Sequence, residues 1–264
     1  MRKIIYPALF GAIFLFAWQI TASLMRISSY LLPKPSEILG ILWTRKSELL
    51  FHAGFTSVEA LSGYFLALLA GLFIGFLFSK SPRIKLTLYP YSIILQTLPA
   101  VVIAPLLIIW LGNGIIIKIL LAMILAVFPI ITNTFRGLSS TPSHFVDLFR
   151  ILGATEKDIW IKVKVNFALP YIFQGMKISL GLSFIGALVG EFVGANKGLG
   201  SVILISSYHL DTAFAFASII LLILIMLCLL FFIEQIEAKL LFWHEGTGTC
   251  NKDASSKITN KRFL

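Results

Sequence analysis

Six stretches of the chain are apolar over roughly the 18–20 residues that about 30 Å of hydrocarbon demands. They are residues 4–24, 57–78, 86–111, 115–135, 171–193 and 213–233. Inside a bilayer no water satisfies the backbone, so runs of this kind fold as helices. The expected fold class is all-α: a polytopic membrane protein with six transmembrane helices over residues 1–245 and a disordered cytoplasmic tail over 246–264. Only 13 % of residues are charged, about half the share of a soluble domain. Met1-Arg2-Lys3 before the first run resembles a secretory signal. That run is too long for a signal core and no small-x-small site closes it, so it is kept as a span.

Lys and Arg set the orientation. With the N-terminus in the cytoplasm, fifteen of the 22 basic residues fall on inner segments and five on outer ones, with Lys118 and Lys177 at span ends. Both termini are therefore expected inside, and the +10 charge reads as topology rather than nucleic-acid binding. Trp18, Trp110 and Trp243 suit the interface belts, and Lys177 is expected to snorkel inward.

Between spans 1 and 2, Pro33 and Pro35 force an extended approach. Ser36 can then cap an amphipathic helix carrying Ile38, Leu39, Leu42 and Trp43, expected to lie on the membrane surface. Gly71 and Gly75 in span 2 allow a neighbouring helix close. Span 3 contains Pro90, Pro99 and Pro105 and is followed by a tight turn at Gly112-Asn113-Gly114; Pro129 lies in span 4. Gln96 and Thr97, beside Pro99, either make an interhelical hydrogen bond or line a path. Gly186, Gly190 and Gly194 repeat every four residues as a helix-packing stripe, used within one subunit or between two copies. Glu191, the acid of span 5 and the one intramembrane acid expected, either reaches the outer interface or hydrogen-bonds across an outer gate.

The long polar interval of the second half, residues 136–169, reads as two short helices broken at one glycine. Thr141 can cap a helix starting on Pro142. Phe145, Leu148, Phe149 and Leu152 form one apolar face, with Asp147 and Arg150 at its rim. Gly153 suits a left-handed stop, and Thr155 with Asp158 a capping-box restart. Such a face needs a partner: a separate protein or the inner leaflet.

Several chemistries lack their residues. No GxxxxGK[ST] phosphate loop occurs, and GANKGLGS lacks its lysine placement, so the chain is not expected to use ATP itself. His52, His144, His209 and His244 are scattered, and no metal site is expected. Cys228 lies in a span and Cys250 in the tail, so no disulfide is expected.

Asp147-Leu-Phe-Arg-Ile-Leu-Gly153-Ala154, followed by Ala168-Leu169-Pro170, resembles the EAA loop of ABC-importer permeases, with an acid six residues before a glycine. Val165-Asn166 stands where that family often has an earlier Leu-Pro. LPKPSEIL, LQTLPAVVIAPLLIIWLGNG, FPIITNTFRG and GALVGEFVGANKGLGSVI extend the resemblance to the nitrate, sulfonate and taurine branch, which includes permeases for thiamine-pyrimidine precursors and riboflavin. The resemblance implies a type I permease fold and the membrane-spanning subunit of an ATP-driven importer. It implies a second permease copy in a homodimer, cytoplasmic ATPase subunits that bind the ATP, and an extracytoplasmic substrate-binding protein. Phe145, Asp147, Leu148, Phe149, Arg150, Leu152, Gly153 and Ala154 would couple to the ATPase; Gln96, Thr97, Pro99 and Glu191 would belong to the path. A small organic nutrient is favoured over a bare anion, since no cluster of positive side chains lies in the spans. The alternative is an ion-coupled secondary transporter, which would want inverted repeats and more intramembrane acids. A membrane enzyme would want a catalytic constellation that is not found.

Overall fold

The computed structural model describes residues 2–241. Trp243, His244, Cys250, the basic residues beyond 241 and the expected tail lie outside the described residues. The described residues form helices joined by short turns: α1 (Arg2–Leu24), α2 (Pro35–Thr44), α3 (Lys46–Lys80), α4 (Pro82–Thr97), α5 (Ala100–Leu111), α6 (Ile115–Ser139), α7 (Ser143–Ile151), α8 (Glu156–Asp158), a π-helical turn (Ile159–Lys164), α9 (Val165–Phe192), α10 (Leu199–Tyr208) and α11 (Thr212–Leu240). The segment from Glu156 to Phe192 is one continuous 37-residue helix. With α3, α6 and α11 it makes four helices long and apolar enough to cross a membrane. With α1 and the α4–α5 pair they account for the six apolar runs.

α6 lies between α3 and α9, and small residues let the three backbones meet. A Cβ on Gly63 of α3 would stand 2.4 Å from the Ala122 Cβ, and one on Gly186 of α9 would stand 2.6 Å from the Ala122 Cα. Gly71 and Gly75 meet Ile130 and Thr134 of α6 in the same way, and Gly190 meets Lys118. Ser179 Oγ on α9 donates to the Ala126 carbonyl on α6 at 2.6 Å, giving a buried polar group its partner.

Several expectations are corrected. Span 3 is two helices, interrupted at Leu98-Pro99, both in extended backbone. The residue before proline is pushed from helical geometry and proline offers no N–H. Pro90 and Pro105, by contrast, stay inside α4 and α5. The helix α2 is not a free amphipathic helix: Ile38 is buried in a cluster with Leu49, Leu199, Val202, Phe214 and Ala217. Leu39 and Trp43 do remain exposed. Ser36 is not the cap, since Pro35 opens the helix after Lys34. Instead Ser36 pairs with Gln19 of α1, both contacts at 3.2 Å. Thr141 caps nothing; Pro142 precedes α7, and the buried Thr141 hydroxyl has no partner. Gly194 falls past the end of α9, at φ +139, and so leaves the helix-packing stripe to Gly186 and Gly190. A helix not expected from the sequence, α10, begins at Leu199 within GANKGLGS.

Candidate functional site

At one end of the molecule α7 stands out from the bundle. Phe145, Leu148, Ile151 and Leu152 are 38 %, 49 %, 83 % and 72 % exposed, so the described residues leave the apolar face uncovered. The face is rotated from the one expected. Phe149 is half-buried, and Ile151, three residues after Leu148, is exposed in its stead. Phe145 also touches the bundle, its ring 5.2 Å from Phe167.

The joint after α7 follows from its backbone. The Gly153 N–H donates to the Arg150 carbonyl and the Ala154 N–H to the Phe149 carbonyl, each at 3.0 Å. Those two bonds close the helix end with Gly153 at φ +79. No atom outside the local chain crowds a Cβ there, so backbone conformation alone demands glycine. Thr155 then restarts the chain: its hydroxyl accepts from the Asp158 N–H at 3.2 Å, and Asp158 accepts from the Thr155 N–H at 3.3 Å. Arg150 straps the joint, with Nη2 2.9 Å from Glu156 and Nη1 3.7 Å from Asp147. All three are exposed, so the strap contributes little energy. Beyond it the π turn buries Ile159 and Val163, and Trp160 meets Phe76 of α3 at 5.4 Å. The restart is thereby pinned to the bundle.

At the far end of α9 lies a polar cluster of opposite character. Glu191 is 1 % exposed. Its Oε1 accepts from the Thr56 hydroxyl at 2.6 Å and its Oε2 from the Gly200 N–H at 2.5 Å. Thr56 Oγ1 also accepts from the Leu199 N–H at 2.7 Å, and His52 Nδ1 accepts from the Gly198 N–H at 3.1 Å. Beside it Glu59, 1 % exposed, pairs with Lys118 at 2.9 Å. A buried carboxylate is costly unless paired, and these two are held by different partners. A cavity of about 240 Å³ beside them is lined by Phe55, Glu59, Asn113, Lys118, Asn196 and Lys197 among others.

Of the path residues expected from sequence, three lie at the α4–α5 break and Glu191 in the last turn of α9. Gln96, Thr97 and Pro99 are exposed at the α4–α5 break; Thr97 donates within its own helix to the Ile94 carbonyl at 2.9 Å. Glu191 is buried and hydrogen-bonds to Thr56 of α3 and Gly200 of α10. Glu59 is a second intramembrane acid that the sequence reading overlooked, although it lies plainly in span 2; its pairing with Lys118, 59 positions away, has no local signal. Lys177 does not snorkel alone but pairs with Glu237 of α11. Trp18 packs on Phe216 at 5.8 Å, and Trp110 is 70 % exposed.

The sequence of residues 67–241 matches the family described as "Binding-protein-dependent transport system inner membrane component". A probable ABC transporter permease protein of Haemophilus influenzae is 32 % identical over 232 residues, covering 88 % of this chain and 95 % of that protein. The formylaminopyrimidine transport permease protein ThiX of Halalkalibacterium halodurans is 32 % identical over 240 residues, covering 90 % and 96 %. The fold is similar to that of a chain from inward-facing MetNI, a methionine ABC transporter. The TM-score is 0.65 at 20 % identity, over 76 % of this chain and 98 % of the other. With the bundle, the uncovered helix and these likenesses together, the chain belongs to the family of binding-protein-dependent inner-membrane transport components and is a permease subunit of an ABC importer.

Proposed function

We propose that α7 is the handle by which a cytoplasmic ATPase drives this permease. The observation that carries the reading is the uncovered apolar face of a nine-residue helix, set on a glycine joint directly before a transmembrane helix. Burying such side chains is worth roughly 1.5–3 kcal/mol each, which favours a fitted cleft on a partner. Asp147 and Arg150 would form the polar rim, and Gly153 and Ala154 the hinge. On this reading α7 and both termini face the cytoplasm, a substrate-binding protein docks outside, and two permease copies enclose the path. Gln96, Thr97 and Pro99, at an unwound point of the α4–α5 pair, then line that path. ATP binding would draw the handles together and open the path outward; hydrolysis would return it inward.

The solute is a small organic nutrient rather than a bare anion. No Lys or Arg occurs between Lys85 and Lys118, so the exposed α4–α5 break offers polar amide and hydroxyl groups among aliphatic ones. Relatives named for formylaminopyrimidine and riboflavin transport support this choice, at 32 % and 33 % identity. One named for aliphatic sulfonates stands at 32 %. Two measurements test the reading. A cysteine at position 148 should crosslink to the ATPase in intact vesicles; labelling of that position from outside would end it. Ligand binding to the cognate soluble receptor should find an organic solute; tight nitrate binding with no organic ligand would overturn the choice.

A further inference from the structure

The first N–H groups of a helix have no partner within it. In α10 they are satisfied from other helices. Gly198, Leu199 and Gly200 donate in turn to His52, Thr56 and Glu191. His52 and Thr56 are one turn apart on α3, and Glu191 lies in the last turn of α9. Thr56 also donates to Glu191, so the acceptors are tied to one another. The two glycines are required by this fastening. A Cβ at Gly198 would stand 2.2 Å from the Glu191 carboxyl, and one at Gly200 would stand 2.7 Å from its Oε2. The remainder of α10 is set into the bundle through Leu199, Val202 and Ser206.

The rod that carries Glu191 in its last turn begins one residue after Thr155. Its 37 residues at 1.5 Å per residue span about 55 Å. We infer that Glu191, together with Thr56 and His52, is a positioning residue for transport. It makes α10 part of the same rigid body as the rod, so a displacement of α7 at one end moves the outer helix at the other. This rests on the coupling role proposed for α7.

The experiment uses the full chain with Cys228 and Cys250 replaced by serine and Ser206→Cys as reporter. Ser206 is 5 % exposed on α10. Labelling by a membrane-impermeant maleimide is followed with the ATPase co-expressed, with and without trapping by ATP and vanadate. Trapping should change the labelling rate by about tenfold. With Glu191→Ala the rate should rise by about tenfold without nucleotide and no longer respond, the scale set by losing buried hydrogen bonds to a charged group. Glu191→Gln, whose amide can still accept from Gly200 and donate to Thr56, should restore the response. Thr56→Val keeps the side-chain shape and should behave like Glu191→Ala; it carries the test if that variant fails to reach the membrane. Unchanged labelling in both variants, or an unchanged nucleotide response, overturns the proposal. The Leu148→Cys crosslink is measured in parallel. If it forms while α10 stays protected, the handle stands and the fastening falls. If it fails to form, the reading of α7 falls and the transmission falls with it.

Discussion

The two ends of α9 are built on opposite principles. At the end next to α7, apolar side chains stand in the open and the charged groups around them are exposed: Asp147, Arg150 and Glu156 are 64 %, 55 % and 66 % accessible. At the other end, Glu59 and Glu191 are almost wholly buried; Glu191 is held through both oxygens, by Thr56 and Gly200, and Glu59 through one, by Lys118. On the proposed reading of α7, the contrast separates a surface that a partner would complete from one largely completed by the chain itself. An exposed ion pair is cheap to lose, whereas a buried one is not. An uncovered apolar face adds nothing until something covers it.

Substitutions can break this contrast, and we expect their effects to fall in the following order. Gly153→Val should abolish ATP-driven uptake while insertion, followed by immunoblot of the membrane fraction, stays normal. A β-branched residue resists φ +79, yet has free space there, so the joint fails and the bundle does not. Normal uptake by this variant would count heavily against the handle. Lys118→Met should destabilise the detergent-solubilised protein by about 3–5 kcal/mol, because it leaves Glu59 buried and unpaired. Adding Glu59→Leu should recover most of that loss, and a double variant no better than the single one would show that the pair is not the cause. Leu148→Ser with Ile151→Ser should leave thermal stability unchanged but weaken ATPase association by roughly tenfold or more; co-purification measures it, and an equal loss of stability would mean that the face is internal. The smallest effect belongs to Glu156→Gln, which removes one exposed strap and should shift stability by less than about 1 kcal/mol.

Much of this architecture was legible in residue order. The apolar runs placed the spans, because bilayer thickness admits few alternatives. The Gly153 stop and the Thr155–Asp158 restart depend on neighbours within a few residues, and local sequence carries them. What stayed hidden was whatever depends on distant partners. Three prolines in span 3 looked alike, yet only Pro99 marks a break; the others remain in helices. α10 is a short apolar run whose first N–H groups are accepted by residues on α3 and α9, so its own sequence did not announce it. The true outer face of α7 was nearly within reach, since Ile151 extends the Leu148 stripe. Only the burial of Phe149 relative to Ile151 shows which way the helix is turned.

Ala122 touches Gly63 on one side and Gly186 on the other, so a single methyl-bearing residue sets the thickness of the bundle where three backbones cross. There is no axial slack at such a crossing. Sliding either neighbour along α6 by one residue would drive a larger side chain into main-chain atoms. The three helices are thus locked in register and can change the shape of the assembly only by tilting together, with Ala122 as the fixed point of the see-saw.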